Sequence, residues 1–67
     1  MTTTRCELTL RRPLSQSLLA AMRSRFDGVS TPDATVLVVQ DVDQAAIRAL
    51  LVMLWDEGHD VLSMTAG

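Results

Sequence analysis

Glu57, His59 and Asp60 are the one grouping in this sequence of 67 residues whose side chains suggest metal binding or acid–base chemistry. Imidazole and carboxylate groups are common zinc ligands and common proton carriers. These residues, however, follow the end of a predicted helix, where nothing fixes their mutual geometry, and there is no second histidine to complete a coordination shell. We interpret them as a solvated helix terminus and predict neither a metal site nor a catalytic site there.

The remaining nucleophiles lack the neighbours that catalysis needs. No serine lies in a G-x-S-x-G elbow, and the three glycines are too scattered to form a phosphate-binding loop. Cys6 has no second cysteine for a disulfide or a metal site, and it alternates with apolar residues, so we predict a buried, reduced thiol. The sequence therefore predicts no enzymatic activity and no cofactor for this chain alone. An active site completed between two copies stays open as an alternative.

Arg11 and Arg12 are candidate ligands for an anion. They lie between a predicted strand and the amino end of a predicted helix, whose free amide groups and dipole attract negative charge. Arginine can clamp a carboxylate or a phosphate with two parallel hydrogen bonds. Ser15 stands beside them at the predicted N-cap. We regard Arg11, Arg12 and Ser15 as a candidate ligand-binding site, with two solvated arginines at a strand end as the simpler interpretation.

The first and last parts of the chain alternate as half-buried strands do. From Arg5 to Arg11, the predicted inner face carries Cys6, Leu8 and Leu10, and the outer face carries Glu7, Thr9 and Arg11. In the last strand, residues 60–65, Leu62 and Met64 form one face, and Val61, Ser63 and Thr65 form the other, which is predicted to be the outer face of the sheet. Each strand is therefore expected to bury one face.

Two amphipathic helices are predicted between these strands. Ser15 fits the N-cap of the first, which extends to about Arg25; its apolar face consists of Leu18, Leu19, Met22 and Phe26. Asp41 or Asp43 caps the second helix, and Asp43 is favoured because good first-turn residues follow it directly. Gly58 ends this helix. Its core stripe consists of Ile47, Leu50, Leu51 and Leu54.

The middle of the chain predicts a short β-hairpin. Residues 29–31 are extended, and Pro32 with Asp33 fits the middle of a type I turn. Residues 35–40 then form a strand with four consecutive aliphatic side chains. Such a run is typical of an interior strand that is apolar on both faces.

The resulting element order is β-α-β-β-α-β. Right-handed crossovers place both helices on one face of an antiparallel sheet with the strand order 4-1-3-2. We therefore predict a single α+β domain over residues 1–67, a two-layer sandwich of the ferredoxin-like kind. The sheet face opposite the helices is expected to be uncovered. There the third strand must present either Val36 and Val38 or Leu37 and Val39.

Two surfaces are candidate interfaces. The first is the open sheet face with the aliphatic residues of the third strand, through which two copies could associate; edge-to-edge pairing of strands is a second route. Its candidate residues are Val36, Leu37, Val38 and Val39. The second surface lies on the second helix, where apolar residues exceed what the core requires and where a partner protein could dock. Its candidate residues are Arg48, Val52, Met53 and Trp55.

The composition disfavours several function classes. Six arginines stand against eight acidic residues, a net charge of −2, and Phe26 and Trp55 are the only aromatic residues. We therefore predict no nucleic-acid binding, since neither a basic surface nor a stacking platform is available. No apolar segment has the ~20 residues of a membrane span. The single cysteine and the absence of a secretion signal predict a cytoplasmic protein, and the bias towards arginine, alanine and valine suggests a bacterial source.

The order of elements and the stretch LTLRRPLSQSLLAAM resemble an ACT domain, a small regulatory module that begins with a strand, an Arg-Pro or Lys-Pro step and a helix opening in apolar residues. The matching residues are Arg12-Pro13 and Leu18-Leu19. In that family a glycine usually follows the proline, and amino acids bind near it at a dimer interface. Leu14 occupies that place here. The resemblance implies a sensor that binds an amino acid or another small anionic metabolite at the candidate anion site.

Two hypotheses of different classes follow from the sequence. The first is a non-enzymatic interaction or regulatory module that forms a homodimer through its sheet and docks a partner protein on its second helix. The second is the ACT-like sensor of a small anion.

Overall fold

The computed structural model of the chain describes residues 4–67. Its elements follow the predicted order: β1 (Thr4–Leu10), α1 (Gln16–Arg25), β2 (Ser30–Asp33), β3 (Val36–Val42), α2 (Gln44–Asp56) and β4 (Val61–Ala66). The strands form one antiparallel sheet in the order β2-β3-β1-β4, which is the predicted order read from the other edge. The fold is therefore the predicted α+β sandwich of the ferredoxin-like kind.

The core lies between the helices and one face of the sheet. Neighbouring residues on β1 and β3 share this face, because Cys6 pairs with Val39 and Leu8 pairs with Leu37. The buried cluster consists of Cys6, Leu8, Leu10, Leu18, Met22, Leu37, Val39, Val42, Leu50 and Leu54. Both helices contribute to it, so both cover the same side of the sheet, as predicted.

A bulge in β3 brings one more residue into this core. Between the pairs Cys6–Val39 and Thr4–Val42, β3 has two residues where β1 has one. Asp41 lies in this bulge with a φ of 55°, the left-handed region that aspartate tolerates better than most residues. The additional residue reverses the alternation, so Val42 faces the core and is buried. The strand therefore continues two residues beyond its predicted end.

Capping residues fix the ends of both helices. The hydroxyl of Ser15 accepts a hydrogen bond from the Leu18 amide, and the Asp43 carboxylate accepts one from the Ala46 amide at 2.8 Å, so both predicted N-caps are confirmed. Gly58, with a φ of 76°, ends α2 as predicted. No helix within residues 4–67 is long and apolar enough to cross a membrane.

The hairpin turn lies two residues beyond its predicted position. Pro32 and Asp33 belong to β2, and Ala34 with Thr35 forms the turn to β3. Pro32 is compatible with β2 because this strand lies at the edge of the sheet. One side of an edge strand has no hydrogen-bonded neighbour, so an amide donor can be missing there. The prediction of a turn centred on Pro32 and Asp33 was therefore wrong.

A second irregularity changes the face of Val61. β4 pairs Ser63 with Thr9 but Val61 with Leu10, so Leu62 is an additional residue between the two pairs. Val61 consequently lies beside a core residue and packs against the core. The prediction that Val61 belongs to the open sheet face was wrong, whereas Ser63 and Thr65 pair with Thr9 and Glu7 on that face.

Candidate functional site

The open face of the sheet carries side chains of β1 and β3. Glu7 and Thr9 of β1 lie there, and Arg5 forms an ion pair with Glu7 at 3.2 Å. Of the two alternatives for β3, the structure places Val36 and Val38 on this face, since they pair with Thr9 and Glu7. The open face thus consists of a narrow aliphatic strip between polar side chains.

The four aliphatic residues of β3 expose little surface for a partner. Leu37 and Val39 are fully buried in the core beneath the helices. Val38 is on the open face but is only 2% exposed, and Val36 is half-buried. Because apolar area removed from water drives association, these candidate interface residues have little left to bury.

The large exposed hydrophobic residues lie elsewhere. Within residues 4–67 they are Val52 (45% exposed), Trp55 (58%), Leu62 (57%) and Met64 (43%). Two belong to α2 and two to β4. The sequence identified Val52 and Trp55 but missed Leu62 and Met64, because alternation predicts which face of a strand is apolar and not whether anything covers it. The edge position of β4 in the predicted strand order was the signal that could have found them.

A groove joins these two elements. Its volume is about 610 Å³. It is lined by Gln44, Ile47, Arg48, Leu51, Val52, Trp55 and Met64, and we call it the α2–β4 groove. Arg48 is the only charged residue in this lining, so the groove is an apolar surface with one cation. This composition is typical of protein-binding sites, where aromatic residues and arginine are enriched.

Helical spacing explains why α2 is apolar on two sides. Leu50 and Leu54 are fully buried against the sheet, whereas Arg48, Val52 and Trp55 recur at steps of four and three on another side of the helix. The fourth candidate on this helix, Met53, faces the opposite way. It is half-buried, packs against the core and lines a separate cleft towards α1. The structure therefore brings together three of the four candidate interface residues of α2.

Within residues 4–67, no strand pairs with the outer edge of β4. The amide of Gly67 donates to the carbonyl of Arg5 at 3.1 Å, which marks these two residues as a hydrogen-bonded pair of the β1–β4 ladder. In an antiparallel ladder such pairs alternate with pairs whose N–H and C=O groups point away from the partner strand. Met64 and Ala66 consequently direct their backbone groups outwards, beyond the edge of the sheet.

Intramolecular contacts engage all three residues of the candidate anion site. Arg12 donates from its guanidinium to the carbonyl of Glu57 at 2.7 Å, and Arg11 forms an exposed ion pair with Asp60 at 3.3 Å. The Ser15 hydroxyl is occupied as the N-cap of α1. The arginines thus fasten the segment after β1 to the segment before β4.

The grouping of Glu57, His59 and Asp60 contains a buried histidine. His59 is only 5% exposed, whereas Glu57 and Asp60 are exposed, so the interpretation of all three as solvated was wrong for His59. The His59 amide donates to the carbonyl of Leu54 at 2.9 Å, which closes the end of α2 and draws the residue inwards.

The surroundings of His59 favour the neutral imidazole. Its Nδ1 atom has no hydrogen-bond partner among residues 4–67. Burial lowers the pKa of His59, and the nearby charge of Arg12 lowers it further, while Glu57 and Asp60 act in the opposite direction. No group of three His, Cys, Asp or Glu side chains in the described part of the chain is placed to hold a metal ion.

Cys6 is a free and fully buried thiol, as predicted. Burial raises the pKa of this thiol, which favours the protonated and unreactive form.

The α2–β4 groove and the outer edge of β4 are therefore the features that distinguish the surface of this chain. They combine exposed apolar side chains with unpaired backbone groups on one side of the fold. Comparison of the chain with protein-family models, with curated proteins and with solved structures found no match.

Proposed function

We propose that this protein is a non-enzymatic interaction module that acts by self-association, as a homodimer. The observation that carries the proposal is the position of the large hydrophobic residues that are exposed within residues 4–67, which lie on α2 or β4. Contiguous apolar surface of this kind marks protein–protein contact sites in small soluble proteins. We assign the contact to the side of the molecule formed by α2 and β4.

The small size of the chain supports this proposal. A domain of 67 residues buries a smaller fraction of its surface than a larger one, so its stability is marginal. Disulfides and metal ions stabilise many domains of this size. Cys6 has no partner, and the described residues form no metal-binding cluster. Self-association is the remaining route, because binding to a second folded copy stabilises the fold.

We place the protein in the cytoplasm as part of the same proposal. The support is the unpaired thiol of Cys6, since reducing compartments keep cysteines in this form.

The groove residues Arg48, Val52 and Trp55 would also suit an apolar segment of a partner protein. A complex with a different protein is therefore the second form that an interaction module could take.

Sedimentation velocity from about 5 to about 500 μM tests self-association directly. We expect the mean sedimentation coefficient to rise with concentration from that of a monomer to that of a dimer. Trp55→Ser should raise the dimer dissociation constant about tenfold or more, since an aromatic residue in an apolar contact is a typical hot spot. The matched control is Ala20→Ser on the exposed surface of α1, which should leave it unchanged. A strictly monomeric wild-type protein at the highest concentration contradicts the proposal.

The sensor hypothesis has a separate test. Because Arg11, Arg12 and Ser15 already have intramolecular partners, a bound anion would have to replace those contacts. Thermal shift against the twenty amino acids and a set of nucleotides measures this, since a ligand at 100 times its dissociation constant adds about 2.7 kcal/mol. A shift that Arg12→Ala abolishes would favour the sensor over the interaction module, and the absence of any shift would remove it.

A further inference from the structure

We propose that two copies of the chain join through their β4 strands, antiparallel about a twofold axis, so that the two sheets become one sheet of eight strands. This inference rests on the proposed self-association and specifies its geometry. The second copy is the occupant of both the β4 edge and the α2–β4 groove.

The two edges of the sheet differ in a way that selects β4. β2 has four residues and carries Pro32 and Asp33, and both a proline and a charge discourage the addition of another strand. β4 has six residues, Val61–Ala66, with neither a proline nor a charged side chain. Natural proteins protect edges that must stay unpaired. β2 has that protection and β4 lacks it.

The unpaired backbone groups of β4 suit a second copy of the same strand. Met64 and Ala66 direct their N–H and C=O groups outwards, as the bond from Gly67 to Arg5 establishes. A twofold axis at Met64 places this residue opposite its own copy and Leu62 opposite Ala66 of the second copy. Met64 pairs with the core residue Leu8, so its exposed side chain lies on the helix side of the sheet and packs across the axis against its own copy.

The twofold axis also brings the two copies of α2 side by side and antiparallel. Arg48, which lies in the amino-terminal half of the helix, then points towards the carboxyl end of the other copy, where Asp56 and Glu57 lie. The helix dipole is negative at that end, so the arrangement is electrostatically favourable. Val52 and Trp55, which line the groove of each copy, then lie between the two helices.

The size of the contact requires both elements. A stable interface buries roughly 800 Å² on each partner, which is about a fifth of the 4254 Å² surface of this chain. Pairing of one six-residue strand edge cannot supply that area by itself. The groove beside β4 adds the apolar side chains of α2 to the same contact.

Edge-blocking variants test the geometry. Met64→Pro removes an outward amide donor and leaves the bonds between β4 and β1 intact, since proline is tolerated where the amide faces out of the sheet. Leu62→Lys places a charge on the edge. Each should raise the dimer dissociation constant about tenfold or more in sedimentation. Ala20→Lys on the exposed surface of α1 is the control for added charge and should leave it unchanged.

Disulfide trapping tests the same geometry by a gain of signal rather than by the loss of the dimer. Opposite residues of a hydrogen-bonded antiparallel pair have Cα atoms about 5.5 Å apart, within the range that a disulfide bridges. Met64→Cys should therefore form a covalent dimer under mild oxidation. The control is Ser30→Cys on the opposite edge strand, β2, which should remain monomeric on a denaturing gel. Cys6 is fully buried and is present in both variants.

The outcomes separate this inference from the proposed function. A wild-type protein that stays monomeric overturns both. A wild-type dimer that resists Met64→Pro and Leu62→Lys, or that Ser30→Cys traps while Met64→Cys does not, overturns the β4 geometry and leaves self-association standing. Loss of the dimer in the edge variants together with trapping by Met64→Cys supports both.

Discussion

The two helices cover the same face of the sheet, but their outer surfaces differ. In α1 the buried residues are Leu18 and Met22, and the exposed surface is formed by small or polar residues and by Arg23 and Arg25. In α2 the buried residues are Leu50 and Leu54, and Val52 and Trp55 remain exposed. One apolar stripe is enough to attach a helix to a sheet. The second apolar side of α2 is therefore the surface on which the proposed self-association rests.

The ends of the helices differ as well. α1 begins at a neutral hydroxyl cap and ends with an amide of Phe26 bonded to the carbonyl of Met22 at 2.8 Å. α2 begins at the carboxylate of Asp43 and ends at Gly58, followed by the buried His59. The negative charge of the Asp43 carboxylate interacts favourably with the positive end of the helix dipole. The two helices therefore differ in the charge of the N-cap and in the residues that close the last turn.

The largest expected effect separates the two apolar sides of α2. Leu54→Ala should lower the free energy of unfolding by about 2–5 kcal/mol, since Leu54 is fully buried and its truncation leaves a cavity. Val52→Ala should change the free energy of unfolding of the monomer by about 0.5 kcal/mol or less, because Val52 lies on the surface and is 45% exposed. It should weaken the dimer instead.

Chemical denaturation at low protein concentration and sedimentation at high concentration measure these two effects separately. Met22→Ala is the corresponding variant on the buried face of α1. It should lower the free energy of unfolding by as much as Leu54→Ala. Equal losses of monomer stability for Val52→Ala and Leu54→Ala would mean that the second apolar side belongs to the core, and the distinction between the helices would fail.

A smaller effect is expected at the helix N-caps. Asp43→Ala and Ser15→Ala should each lower the free energy of unfolding by about 1 kcal/mol, because each removes the acceptor of a helix amide. Asp43→Ala should be the more damaging, since its bond is shorter, 2.8 Å against 3.2 Å, and its charge complements the dipole. Asp43→Asn is the matched control that keeps the acceptor and removes the charge. Equal effects of both alanine variants would contradict the proposed difference between the helix ends.

Patterns that depend on neighbours along the chain were predictable from the sequence. The N-caps at Ser15 and Asp43, the end of α2 at Gly58 and the order of the strands all follow from local residue types and from the handedness of crossovers. Within one strand, alternation correctly divided Cys6 and Leu8 from the polar residues of β1.

The remaining features depend on single added residues and on coverage by distant elements. The bulges at Asp41 and Leu62 each shift the alternation by one, which placed Val42 in the core and moved Val61 off the open face. Exposure of Met64 depends on β4 being an edge strand, a property of the whole sheet. Burial of His59 did have a local signal, because the residue after a helix-ending glycine commonly packs against the last turn.

The smallest effect concerns the carboxyl end of α2. Burial and the charge of Arg12 lower the pKa of His59, so the folded state favours the neutral imidazole. In the unfolded chain the histidine titrates at its ordinary value near 6.5. The stabilisation is therefore fully present above that pH and is lost as the pH falls below it towards the pKa of the folded state, because the unfolded chain then binds the additional proton. α1 has no histidine at either end.

Urea unfolding of the wild type and of His59→Gln between about pH 5 and pH 8 isolates this contribution, since the carboxylates near His59 are common to both proteins. We expect the free energy of unfolding of the wild type to fall below about pH 6.5 relative to the variant and to run parallel to it above that pH. A constant difference across the whole range would mean that His59 can accept a proton without leaving its buried position.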